Sequence, residues 1–228
     1  MRHRGSVVAL LGTVLALGAF ASSAAAKPAS YTVKTLHFDV TVGPQNDTHC
    51  NVVGDLYKPK SASRKHRVPA ILTTNGFGGS KDDQAALGKW AASHGYAVLS
   101  YSGLGFGGSG CKIYLDDRAY DGKAAKQLVT FLGGGMKAND GTKVDFVKHD
   151  RRGSDGRHHR FDPRVGMIGG SYGGQIQFAA AGIDPRIDTI IPIITWNDLS
   201  YSLAPNNTSL RHGVSYRTPG IEKFEWTS

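Results

Sequence analysis

Five consecutive residues, Gly169-Gly170-Ser171-Tyr172-Gly173, spell G-x-S-x-G. A serine between glycines at that spacing suits a tight strand-to-helix turn. Small neighbours let the turn close, the serine backbone is strained, and Oγ is left exposed above a sheet. The following helix would aim its unpaired N–H groups and the positive end of its dipole at a developing negative charge. The implied chemistry is acyl transfer with Ser171 as the nucleophile. The five letters alone are weak evidence, because the chain carries 30 glycines and roughly 0.3 such matches arise by chance. The setting gives them weight. An apolar run, Val165-Gly166-Met167-Ile168, leads directly into the serine, and the small residues of 173–181 follow it.

An attacking serine needs an oxyanion hole. One donor is expected from the backbone N–H of Tyr172, and the second from the loop after the third strand. That loop is Asn75-Gly76-Phe77-Gly78-Gly79. Its glycines let the backbone approach a substrate oxygen closely, and the N–H of Phe77, with Gly78 as the alternative, is the expected donor. The serine also needs a base held within hydrogen-bond reach and an acid to orient it. Asp198 lies just past the last apolar run, and His212 is the only histidine after Ser171. These two are the substitutes the tail offers for a triad, although the Pro/Asn/Ser-rich surroundings of His212 supply no rigid support.

The elements that must position these groups alternate along the chain. Residues 31–42 and 50–57 read as two strands able to form a hairpin. Residues 68–74 read as a strand buried on both faces. Ser80 and Asp83 then match a capping box, with Leu87, Trp90, Ala91 and His94 on one helical face and Gly95 as the stop. A strand over 96–101 precedes the glycine-rich 103–110. Asp121 is placed to cap a second helix whose inner face is Ala125, Leu128, Val129 and Leu132, and Gly133–Gly135 end it. A polar excursion over 136–163 leads to a strand at 164–169, a helix at 173–181 and a strand at 188–195. Strands alternating with helices predict an α/β fold: a mostly parallel sheet with helices on both faces and an antiparallel edge from the opening hairpin.

With these residues in view, the chain resembles the X-Pro dipeptidyl-peptidase and cocaine-esterase branch of the α/β hydrolases. The resemblance rests on Leu56-Tyr57-Lys58-Pro59 at the end of the hairpin, the Asn75–Gly79 loop, the run Ser102–Gly110 and the Gly169–Gly174 elbow. It covers most of residues 31–205. It implies the α/β-hydrolase fold and cleavage of peptide or ester bonds in a small substrate without a cofactor. Some relatives carry a tyrosine in the loop after the third strand, whose phenol helps bind the oxyanion. Phe77 has no hydroxyl, so a backbone role alone is expected of it. The resemblance also implies acid and histidine loops after later strands, whereas one strand alone is read between Ser171 and the polar tail 196–228. The sequence therefore reads as a hydrolase domain over 27–228 that lacks its C-terminal strands, and normal turnover is not expected of it.

The first 26 residues resemble a secretory leader: Arg2 and Arg4, an apolar stretch over 7–20, then Ala24-Ala25-Ala26 as a cleavage site. The apolar stretch is shorter than the roughly 20 residues a membrane span needs. Export to an oxidising compartment would favour a Cys50–Cys111 disulfide, with two free buried thiols as the alternative. The formal net charge is +9, and much of the basic character sits in 143–160. That stretch lacks interleaved aromatics and any nucleic-acid module and contains Asp145, Asp150 and Asp155, so it reads as a solvated surface loop. His149, His158 and His159 there are weak evidence for a metal, and no metal site is expected. The competing class is a non-catalytic secreted binding protein that uses this basic loop as a docking surface for an acidic partner.

Overall fold

A computed structural model describes residues 30–204 and Lys223. The leader at 1–26, His212, Tyr216, Phe224 and Trp226 lie outside the described residues. Leu36, Phe38, Val40 and Val42 alternate with polar residues, which gives strand β1 (Tyr31–Val42) one buried face. It pairs antiparallel along its whole length with β2 (Thr48–Pro59). With β3 (Ala70–Thr74), β4 (Ala97–Tyr101), β5 (Val165–Gly170) and β6 (Ile187–Ile193) they form one six-stranded sheet in the order β1-β2-β4-β3-β5-β6. β2 and β4 are antiparallel, and the pairs β4–β3, β3–β5 and β5–β6 are parallel. The expected mostly parallel sheet with an antiparallel edge is thus observed.

The helices cover both faces. Helix α1 (Ala85–Ser93) sets Ala91 and Ala92 against Tyr57 and Val98. On the other face, α2 (Lys123–Leu132) and α3 (Tyr172–Ala181) bring Leu128, Val129, Leu132 and Ile176 into one core with Leu36, Phe38, Leu72 and Leu99. A short α4 (Leu199–Leu203) follows β6. Among the described residues no helix is long and apolar enough to cross a membrane.

Three sequence readings need correction. The Ser80–Asp83 capping box forms, on a 3-10 turn that leads into α1, but α1 does not bury Leu87, Trp90 and His94. Its buried residues are Gly88, Ala91 and Ala92, and Trp90 is 58 % exposed. A Cβ on Gly88 would stand 2.7 Å from the Tyr57 ring, so close approach of the helix backbone, rather than large apolar side chains, decides which face docks. Asp121 is not the cap of α2. Asp117 caps a preceding π-helical turn, Arg118–Gly122, by accepting from the Ala119 N–H, and Asp121 is turned inward. The 136–163 excursion is not wholly solvated either. Ala138, Val144, Phe146 and Val147 are buried in the main core, and Val147 bridges Val68.

Cys50 and Cys111 are joined, with Cα atoms 5.6 Å apart, and no described cysteine is free. The bond ties the glycine-rich segment after β4 to β2, where Gly110 N–H also donates to the Asn51 carbonyl and Val53 N–H to the Ser109 hydroxyl.

Candidate active site

Ser171 sits between β5 and α3 with φ 55° and ψ −120°, a region that favours glycine. Its N–H donates to the Ile193 carbonyl at 2.9 Å, which anchors the turn to β6. The motif glycines are required by contact. A Cβ on Gly169 would lie 2.6 Å from the Gly173 carbonyl oxygen, and one on Gly173 would lie 2.6 Å from that of Thr74. Any larger residue at either place would push the turn off the sheet. Helix α3 is held to the same strand by Gln177, whose Oε1 accepts the Ile191 N–H at 2.9 Å.

The Asn75–Gly79 loop leaves β3 beside this turn. A Cβ on Gly76 would be 3.9 Å from the Ser171 Cβ, so the loop backbone faces the serine. Asn75 is fully buried and organises the loop. Its Oδ1 accepts the Gly103 N–H at 2.9 Å and its Nδ2 donates to the Gly76 carbonyl at 2.7 Å. The sequence reading placed Asn75 in the oxyanion loop and gave its side chain no role; an amide directly after an apolar strand, beside a glycine-rich loop, was the available signal. Phe77 is half exposed, with its ring edge-on to Phe106 at 5.4 Å and tilted to Tyr172 at 6.3 Å.

Tyr172, the first residue of α3, is 1 % exposed. Its N–H makes no hydrogen bond among the described residues, as expected at a helix start. Its phenol accepts the Asp116 N–H at 3.1 Å and donates to Asp121 Oδ2 at 3.2 Å. Burial, reinforced by the charge of Asp121, pushes the Asp116 carboxyl up to about 9. Burial pushes Asp121 up to about 7, against the Tyr172 hydrogen bond. Burial raises the Tyr172 phenol as well. Neither carboxyl was foreseen as part of the site: Asp121 read as a helix cap, and Asp116 was given no role.

Ser171 opens into a cavity of about 540 Å³ lined by Phe77, Leu115, Tyr172, Ile194, Thr195, Trp196, Leu199, Ser202, Leu203 and Lys223. Ile194 is held at φ 45° and is 81 % exposed. No histidine or carboxylate is among the described lining residues. Asp198 does not line the cavity. It caps α4, accepting from the Tyr201 N–H at 2.8 Å and the Ser200 hydroxyl at 2.7 Å, and those bonds hold its carboxyl below the usual range. The structure thus brings together Ser171, Tyr172 and Phe77 and assigns Asp198 to a helix end, while His212 lies outside the described residues.

A model of the X-Pro dipeptidyl-peptidase (S15) family matches residues 48–219. No curated protein matches the chain. Solved structures of similar fold include a hypothetical protein from Pseudomonas aeruginosa, at TM-score 0.56 and 19 % identity over 80 % of this chain and 48 % of that one. An α/β hydrolase, GrgF, from Penicillium sp. sh18 aligns at TM-score 0.52 and 21 % identity over 74 % of this chain and 48 % of its own. An acetyl xylan esterase from Paenibacillus sp. R4 aligns at 0.51 and 20 % over 78 % and 51 %. The likeness to these structures is one of fold, the α/β-hydrolase fold, and the chain spans about half the length of each.

Proposed function

The chain belongs to the X-Pro dipeptidyl-peptidase (S15) family, and from that premise we propose that it works as a secreted serine hydrolase with Ser171 as its nucleophile. The observation that carries the reading is the strained Ser171 backbone in its glycine cradle, beside a cavity and a Tyr172 N–H that has no hydrogen-bond partner among the described residues. In this reading Oγ attacks a substrate carbonyl carbon and gives its proton to a general base. The oxyanion is held by the N–H of Tyr172 and that of Phe77 or Gly78. The C–N or C–O bond breaks, the leaving group takes the proton, and water releases the acyl group and restores the serine. The base acts from outside residues 30–204. His212 is the candidate this chain offers, and a histidine of a longer chain is the alternative.

Family membership favours a peptide substrate with proline in second place. The cavity favours a neutral ester instead. Its described walls are mainly apolar, they carry no carboxylate to hold a peptide's α-ammonium, and their one lysine, Lys223, would repel it. The disulfide supports export, since such bonds persist in oxidising compartments.

The test is a fluorophosphonate probe on the natively secreted protein, with intact mass and peptide mapping. One adduct on Ser171, absent from Ser171→Ala, is expected, with an N-terminus at Lys27. Absence of an adduct would transfer the chain to the non-catalytic binding class. A mass above that of 27–228 would locate the base on a longer chain. Turnover of an X-Pro anilide against a p-nitrophenyl ester then separates the two substrate readings.

A further inference from the structure

Behind the Ser171 turn lies a group of ionisable side chains that the proposed chemistry does not use. Asp116 and Asp121 are 6 % and 3 % exposed, and the Asp121 carboxyl and the Asp116 backbone N–H both meet the phenol of Tyr172. Neither Asp116 carboxylate oxygen has a hydrogen-bond partner among the described residues, and neither does the hydroxyl of buried Tyr101 on β4. Among the described residues, the groups acting on this pair are Asp117 on the same segment, Tyr101 on β4 and Tyr172 on α3, with no lysine, arginine or histidine. Two carboxylates buried together without a cation cannot both stay ionised at neutral pH, so they hold at least one proton between them.

Tyr172 is poorly placed to ignore that proton. Its ring is packed edge-on to Phe106 at 5.0 Å, and its phenol is held on one side by an acceptor and on the other by a backbone donor. Its N–H stands one residue past Ser171. An ionised Asp121 can only accept from the phenol, whereas a protonated one can also donate to it. The strength of that hydrogen bond therefore follows the charge of the pair.

We propose that Asp116 and Asp121 form a charge-coupled pair of buried carboxyls that acts through the Tyr172 phenol to position the Tyr172 N–H. This makes them positioning residues for the oxyanion site, and the proposal rests on reading Ser171 as the nucleophile. The phenol is held best with Asp121 ionised and Asp116 neutral. A second charge on Asp116 at higher pH breaks the arrangement.

The coupling is testable without turnover. The secreted chain, labelled with ¹⁵N-tyrosine, is titrated by NMR from pH 5 to about pH 10. The Tyr172 amide should shift with midpoints near about 7 and about 9. The lower step should vanish in Asp121→Asn, and the upper in Asp116→Asn. A Tyr172 amide that does not titrate, or titrates identically in both variants, overturns the proposal, and the wild-type result needs no variant to fold. The second readout is the fluorophosphonate labelling rate of Ser171 against pH, with circular dichroism as a check on folding. An alkaline decline present in the wild type and absent from Asp116→Asn supports positioning. The same decline in both refutes it. Failure to label Ser171 at any pH defeats the nucleophile reading and the oxyanion role with it, while the NMR titration still decides whether the carboxyl pair controls Tyr172.

Discussion

The two edges of the sheet are built on different plans. At one edge, β1 alternates cleanly: Leu36, Phe38, Val40 and Val42 are at most 1 % exposed, and the polar residues between them face solvent. The disulfide stiffens this half, and α2 packs on its inner face. At the other edge, β6 is apolar on both faces. Ile190 packs against the core, while Ile191 and Ile193 are 51 % and 47 % exposed. β1 has the composition of an outer strand and occupies an outer position. β6 has the composition of an inner strand and stands at the edge of the described sheet. The candidate site hangs on the second edge, because Ser171 is tied to Ile193 and its cavity runs along the residues after β6. The disulfide and the cleanly alternating strand thus lie at one edge of the sheet and the candidate chemistry at the other, with one core running beneath both.

The largest expected effect is at the first edge. Phe38→Ala removes a fully buried ring packed edge-on to Phe131 at 4.7 Å, and should cost about 3–5 kcal/mol in denaturant unfolding. Opening the disulfide with Cys50→Ser and Cys111→Ser together frees a loop of sequence separation 61. The loss should be about 4 kcal/mol on the chain-entropy account. A loss under about 1 kcal/mol would mean that the glycine-rich segment is already fixed by its hydrogen bonds to β2.

Between the edges, the acid pair predicts a pH dependence. Asp116 and Asp121 keep their protons to higher pH in the fold than in the unfolded chain, so their contribution is fully present below about pH 4. It is lost as pH rises through about 7 for Asp121 and about 9 for Asp116. Thermal unfolding should show stability falling as pH rises from about 4 to about 9, more steeply below about 7, where both groups contribute. Asp116→Asn should flatten the alkaline part. A curve that rises toward pH 9 would contradict the burial of these carboxyls.

The smallest effect is expected at the second edge. Ile191→Thr and Ile193→Thr should each change stability by about 0.5 kcal/mol or less, as exposed substitutions do. A loss of about 2 kcal/mol at either would break the comparison, because it would mean that this face is covered in solution.

Local pattern made much of this legible. The period-two run of β1, the inner face of α2 and the strand–glycine–serine–glycine–helix order around Ser171 depend on neighbours in sequence, and all three elements appear in the structure where the residues indicated. Readings that depended on packing fared less well. Trp90 looked like a core residue because its spacing suited a helix face, yet Gly88 lets Tyr57 approach so closely that the helix docks one step round. Asp121 looked like a cap because it stood before an apolar helix, but a π-helical turn capped by Asp117 rotates it into the interior.

By itself the sequence determined the element order, the glycine turn that strains Ser171 and the loop that approaches it, because periodicity, turn chemistry and the need for small residues are properties of adjacent positions. Only the tertiary structure decided that Cys50 and Cys111 come within bonding distance, that the Asp116 backbone and the Asp121 carboxyl meet at the Tyr172 phenol, that Asn75 locks two loops together and that the cavity walls are mainly apolar. Each of these depends on distances between residues remote in the chain, and those distances are set by how closely the backbone layers can approach.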